Sequence, residues 1–345
     1  MKYTTLCALF CLLLTACATT ADGGMAEPTV EASTKELAAD DAFTSTEPIA
    51  DANGFPVTIR HDQGAITLEA PAERIVVMTE EFIELAVALE VPLVGVGAGR
   101  NQPTGDTFTQ LPYLDRPILG EPVYLNARQP NMEAILALQP DLILRNGSPQ
   151  GFDDEFHDSF AQVAPTLTYA AADVGGWKEA LRGFAVAINR SEQAEAVIRD
   201  YDARVAELRA EMEPVVEQAP NVALLVSSID QLVIANEQFA LGGLMQTLGF
   251  TLSVPDSVEM LPMGYSQISP EILGDITADT IVVMRNLDGK EHTGDAILAS
   301  LDIPVLIAEI RPGMGYAGPF AEIIYLEEFA EAFRAAYLPD SAGSE

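Results

Sequence analysis

The sequence predicts an α/β protein of two Rossmann-like lobes joined by one long inter-lobe α-helix. Three observations carry that expectation. Apolar strand words alternate with helical words along most of the chain. One unbroken amphipathic stretch interrupts the alternation near the middle. On either side of it, "PNMEAILALQPDLILRN" (130–146) and "SPEILGDITADTIVVMRN" (269–286) repeat one another. Strand, helix, strand in succession implies parallel βαβ units.

Residues 1–17 come first, with Lys2, the apolar run "LCALFCLLL" and then Leu14, Thr15, Ala16 and Cys17. This pattern is a lipoprotein signal peptide with Cys17 as lipid acceptor, and it carries no information about the fold. All 3 cysteines lie in this segment, so no disulfide supports the mature chain, which stands on its hydrophobic core. Residues 18–51 hold 8 acids and 1 lysine with no hydrophobic period, which predicts a disordered acidic tether. A flexible chain of that length reaches about 30 Å.

The first lobe is expected over 52–185. It opens with two alternating segments around "DQG", a hairpin, followed by "RIVVM" as a buried strand, "TEEFIELAVALE" as an amphipathic helix and "PLVGVGA" as a strand. The words "NMEAILALQ", "DLILR", "EFHDSFAQVA" and "TLTYA" continue the alternation. The connecting segment, 186–216, holds apolar residues at Ala194, Val197, Ile198, Tyr201, Val205, Leu208 and Met212, spaced by three and four. That spacing predicts one helix from about Ser191, as cap, to Glu213, stopped by Pro214. The second lobe, 217–338, repeats the grammar and closes on the helical "FAEIIYLEEFAEAFRAAYL"; residues 339–345 form a tail.

In each copy of the repeat a helix cap, Asn131 or Ser269, precedes a glutamate, Glu133 or Glu271, by two positions. An aspartate, Asp141 or Asp279, follows eight residues after the glutamate. A first-turn carboxylate supports its own helix. The paired occurrence also suggests one exposed anion on each lobe, suited to a partner with a two-fold arrangement of cations.

Arginines end four apolar strands: Arg100, Arg145, Arg285 and Arg311. Ligands of open α/β sheets bind beyond the carboxyl ends of strands, and guanidinium forks suit oxygen anions. The four are therefore candidate ligand-binding residues, as are the loop tyrosines Tyr113, Tyr124, Tyr265 and Tyr316. Catalytic signals are missing. "GVGAG" (95–99) lacks the dinucleotide fingerprint's next glycine, which is Arg100 here, and no G-x-S-x-G occurs. His61, His157 and His292 are too scattered for a metal pocket and read as surface histidines. A formal charge of −34 makes nucleic acid and anionic lipid poor partners.

Five words in order carry a family resemblance: "ITLEAPAERIVVM", "ELAVALEVPLVGVG", "PNMEAILALQPDLIL", "LMQTLGF" and "ISPEILGDITADTIVV". Over 54–338 the sequence resembles the substrate-binding lipoproteins of ABC importers for ferric siderophores, haem and cobalamin. The resemblance implies the helical-backbone periplasmic binding protein fold, a shallow inter-lobe cleft and no enzyme activity. It implies a permease dimer with its ATPase as partner, docked through salt bridges at the positions of Glu133 and Glu271, and a monomer held extracytoplasmically by its lipid. No cofactor is implied, and the ferric siderophore is cargo. Members that bind iron directly often carry a histidine before the S-x-E helix, absent in "EMLPMGYSQISPE", so an intact anionic chelate held by arginine is the preferred ligand. A corrinoid or haem is the alternative ligand, and an enzyme on the same scaffold or a structural lipoprotein are the alternatives of other classes.

Removing residues 1–51 should leave ligand affinity unchanged in a fluorescence titration, because nothing periodic there could pack on the body. A large loss of affinity on truncation would place part of the fold in that segment.

Overall fold

A hairpin of β1 (Val57–His61) and β2 (Gly64–Leu68) opens the described chain, with Asp62 and Gln63 at its turn. The computed structural model describes residues 54–98, 109–147, 156–170, 174–311, 314–315 and 317–338, all within one compact unit, Glu47–Glu345. The signal segment with Cys17, the tether and the tail lie outside the described residues. β3 (Ile75–Val77), α1 (Glu80–Ala88), β4 (Leu93–Val96), β5 (Val123–Tyr124), α2 (Met132–Ala137), β6 (Leu142–Asn146), α3 (His157–Ala161), β7 (Thr166–Tyr169) and α4 (Trp177–Ala187) complete the first lobe. Its sheet runs β5-β4-β3-β6-β7, every neighbour parallel, as the alternating words predicted.

The long helix is α5 (Ser191–Gln218). After it come β8 (Asn221–Ser227), β9 (Leu232–Ala235), α6 (Ala240–Thr247), β10 (Thr251–Leu252), β11 (Tyr265–Gln267), a 3₁₀ turn (Pro270–Asp275), β12 (Thr280–Arg285), α7 (Asp295–Leu298), β13 (Val305–Glu309) and α8 (Pro319–Tyr337). The second sheet has the order β11-β9-β8-β12-β13, with β10 also on β8. It is mixed, because β9 runs antiparallel to both β8 and β11.

Three expectations need correction. Pro214 does not end α5, which continues to Gln218. A proline in a helix interior costs about 3 kcal/mol, but Val215 just beyond it is fully buried in the central core, and continuing the helix keeps it there. The cap of α5 is Arg190, with Ser191 the first helical residue. Finally, α1 is not amphipathic in its surroundings, for all nine of its residues are buried, three glutamates included.

One apolar core crosses the whole unit. It joins Val57 and Ile59 of the hairpin, Phe82 and Leu85 of α1, Phe184 of α4, Leu208 of α5 and Phe329 of α8 to Leu224 and Val282 of the second sheet. Each sheet also has an outer face with its own cluster. Ile143 meets Ile135 and Phe160 on the first, and Val283 meets Leu273 and Leu298 on the second. The lobes therefore share an interior rather than meeting at a wet interface.

The repeated aspartates do the same work in both lobes. The Asp141 backbone N–H donates to the Arg74 carbonyl at 3.0 Å, and its carboxylate accepts from the N–H groups of Glu73 and Arg74 at 3.0 and 2.8 Å. Asp279 N–H donates to the Asn221 carbonyl at 2.9 Å, and its carboxylate accepts from the Asn221 backbone N–H and side-chain amide at 2.9 and 3.0 Å. Each clamps the base of its strand to the neighbouring strand, β6 to β3 and β12 to β8. Asp141→Ala and Asp279→Ala should each cost about 1–2 kcal/mol in urea unfolding, at or below the usual range for bonds to a charged group because both sites are exposed. Losses that differ severalfold between the two would show the clamps to be unequal.

Candidate functional site

Between the lobes lies a depression of about 610 Å³. Gln110, Pro112, Tyr113, Leu114 and Asp115 line it from the first lobe, Glu309 and Arg311 from the second. Its size falls in the usual range for small-molecule sites, about 300–1,000 Å³. The first-lobe wall is a loop tied to itself: the Ile118 N–H donates to the Thr109 carbonyl at 2.8 Å, and the Leu114 N–H to the Leu111 carbonyl at 3.1 Å.

Tyr113 is held from behind. Its hydroxyl donates to Glu84 Oε1 at 2.7 Å, while Glu84 Oε2 accepts from the backbone N–H groups of Phe320 and Ala321 at 2.9 and 3.1 Å. These are orphan donors at the start of α8, whose own cap residue, Gly318, has no side chain to offer them. A carboxylate from the other lobe thus caps the last helix. Glu84 is 0% exposed, and burial pushes its carboxyl up to about 8, the three donors opposing the shift and Glu81 adding to it. Burial and the Glu84 charge likewise push the Tyr113 phenol well above its ordinary value.

A second buried glutamate mirrors the first. Glu322, in the first turn of α8, accepts from the Gly175 N–H at 3.0 Å and from the Tyr201 hydroxyl of α5. Burial raises its carboxyl too, against the pull of those donors. Neither glutamate was identified from sequence. On a helical wheel Glu80, Glu81 and Glu84 share one face of "EEFIELAVA", which reads as the exposed face of an amphipathic helix.

Arg311 reaches the depression from the end of β13 and forms an ion pair with Glu328 of α8. Of the predicted ligand residues, the structure brings Tyr113 and Arg311 together here. Arg100 and Tyr316 lie outside the described residues. Arg145 and Arg285 do not line the depression, for a reason of strand parity. Leu142 and Leu144 face the central core, so Ile143 and Arg145 face outward; Val282 and Met284 face the core, so Val283 and Arg285 face outward. Arg145 is 1% exposed, its guanidinium 5.6 Å from the Phe160 ring centre. Arg285 pairs with Asp295 at 2.7 Å and anchors α7. The Tyr124 hydroxyl donates to the Ala98 carbonyl at 2.8 Å, and Tyr265 packs edge-on against Phe239 at 5.3 Å.

Glu133 and Glu271 are both exposed, as expected. Asn131 Oδ1 caps α2 by accepting from the Ala134 N–H at 3.1 Å, whereas Glu271 sits in a 3₁₀ turn rather than an α-helix. The Ser269 hydroxyl and Glu271's own N–H hold the Glu271 carboxyl below its ordinary value. The histidines depart from expectation: His61 and His292 are buried, and His61 lies 6.0 Å from the His157 ring, its own pKa lowered to about 4 by burial and by His157.

The described residues form two α/β lobes on a long helix, with a ligand-sized depression between them. The chain belongs to the periplasmic binding protein family, whose model matches residues 75–301. Among curated relatives it is similar to the probable siderophore-binding lipoprotein YfiY of Bacillus subtilis, at 34% identity over 44% of this chain and 44% of that protein. It is also similar to the Fe(3+)-citrate-binding protein YfmC of the same organism, at 22% identity over 67% of this chain and 69% of that protein. The match to YfiY thus spans under half of that relative's length. The fold is that of the triscatecholate siderophore-binding protein FeuA from Bacillus subtilis complexed with ferri-bacillibactin, with a TM-score of 0.61 at 19% identity over 81% of this chain and 98% of that one. The family and these relatives are substrate-binding proteins rather than enzymes.

The raised Glu84 carboxyl has a thermodynamic signature. The folded chain binds its proton up to pH about 8, the unfolded chain only to about 4.5. Its contribution to stability is therefore full below pH 4.5 and is lost as pH rises toward 8. Glu84→Gln, which keeps the shape of the protonated acid, should remove part of that slope. Urea midpoints at pH 5 and pH 8.5 check this, and an equal fall in wild type and variant would remove Glu84 as a cause.

Proposed function

We propose that the protein is the extracytoplasmic substrate-binding component of an ABC importer, taking an anionic ferric chelate of the siderophore class between its lobes and delivering it to a permease. The observation that carries this reading is the meeting of Tyr113 and Arg311 across the inter-lobe depression in a member of this family. A planar, permanently charged donor fork suits carboxylate, hydroxamate or catecholate oxygens of a wrapped iron centre, and the Tyr113 ring offers apolar surface beside it. The names of the relatives, siderophore-binding and ferric-citrate-binding, support that cargo over a corrinoid or haem.

Delivery is assigned to Glu133 and Glu271. Both are exposed in the first turn of short helical segments, one per lobe, outside the depression. Cys17 is the proposed lipid anchor, in keeping with a relative named as a lipoprotein, and the protein is proposed to act as a monomer. Among the described residues no helix is long and apolar enough to cross a membrane.

Arg311→Ala should weaken binding of ferric citrate about ten- to hundredfold, the loss of roughly 1.5–3 kcal/mol from a charge-assisted contact. Trp177 fluorescence is the readout, and wild-type affinity in the variant would move the site elsewhere. The Glu133→Gln, Glu271→Gln double variant should keep that affinity while iron uptake falls, in cells depending on this protein alone. Uptake at the wild-type rate would defeat the docking role.

A further inference from the structure

Both walls of the depression are fastened to the same helix. Tyr113, on the first-lobe wall, is held by Glu84, and Glu84 by the N–H groups of Phe320 and Ala321 at the start of α8. Arg311, on the second-lobe wall, is held by Glu328, nine residues into α8 from Pro319. Two further features fit the N-terminal joint. A Cβ on Gly318, whose φ is +123°, would lie 2.5 Å from Glu84 Oε2, so only glycine admits the carboxylate there. The Arg116 guanidinium, from the same first-lobe loop as Tyr113, sits over the Phe320 ring at 4.9 Å.

We infer that Glu84 and Glu328 are positioning residues for the ligand site, and that α8 sets the gap between Tyr113 and Arg311 and with it the size of chelate accepted. The two residues do not contact the ligand. Their effect runs through the side chains they hold: a phenol anchored by its hydroxyl keeps its ring in the wall of the depression, and a guanidinium anchored by one amino group is fixed at its rim. The affinity part of this inference rests on the depression being the chelate site; the fastening part does not.

The test uses the full chain, with Glu84→Leu, Glu84→Gln and Glu328→Gln beside wild type, and two kinds of readout. The first is residue-resolved chemical reactivity by peptide mass spectrometry: nitration of Tyr113 by tetranitromethane and modification of Arg311 by phenylglyoxal. The second is affinity for ferric citrate and for ferric tris(2,3-dihydroxybenzoate). Glu84→Leu should speed Tyr113 nitration while leaving Tyr124 unchanged, and should weaken binding by up to about tenfold, one neutral hydrogen bond's worth. Glu84→Gln should restore both, since its amide oxygen accepts the two N–H bonds and its NH₂ meets the phenol oxygen. Glu328→Gln, at a half-buried site that tolerates the change, should raise Arg311 reactivity alone. Wild-type reactivity of Tyr113 and Arg311 in all three variants would overturn the inference whatever the wild type binds. Shifted reactivity with unchanged affinities would overturn the claim that α8 tunes the site. If reactivity shifts as expected while wild-type protein binds neither iron complex, the fastening stands and the ferric-chelate reading falls.

Discussion

A carboxylate taken out of water must find donors, and the two most deeply buried among the described residues find donors across the boundary between lobes. Glu84 leaves the first lobe to cap α8, and Glu322 leaves α8 to meet the start of α4 and the middle of α5. An unpaired charge at either position would cost several kcal/mol. With donors in place the same groups dictate where α8 lies, and the apolar core that α8 completes can close only around that placement. The surface ion pairs between α5 and α8, Arg204 with Glu327 and Arg334 with Glu211, follow the helix rather than fix it.

Among the described residues the lobes are joined by packing as well as by chain. Wide closure needs a thin, flexible connection between bodies with separate interiors. Here the connection is a helix of 28 residues whose buried side belongs to the same core as both sheets. Separating the lobes would strip Glu84 of its N–H donors.

The fold was legible because periodicity is a local property. Strand words, the three-and-four spacing of α5 and the doubled aspartate word all survive into the structure, and Asp141 and Asp279 turn out to be joints of the same kind. The site was less legible because it depends on parity and on distant partners. "LILR" and "VVMR" end in arginine at the carboxyl ends of strands, yet alternation turns both side chains to the outer faces, a fact visible only once the central face is known. Pro214 misled for a similar reason, since what holds the helix together beyond it is the burial of Val215 by residues far away in sequence. Glu84 had no local signature, and its backbone N–H partners lie 236 and 237 positions onward.

That last separation bears on how the chain reaches its native state. Synthesis from the N-terminus completes the first lobe's sequence long before residue 319, and at that stage the first lobe holds a carboxyl meant for burial whose helix does not yet exist. Contacts between remote parts of a chain form late because their loops are costly to close. The first lobe therefore waits, unfinished, for the final helix, and the two halves of the molecule mature together rather than one after the other.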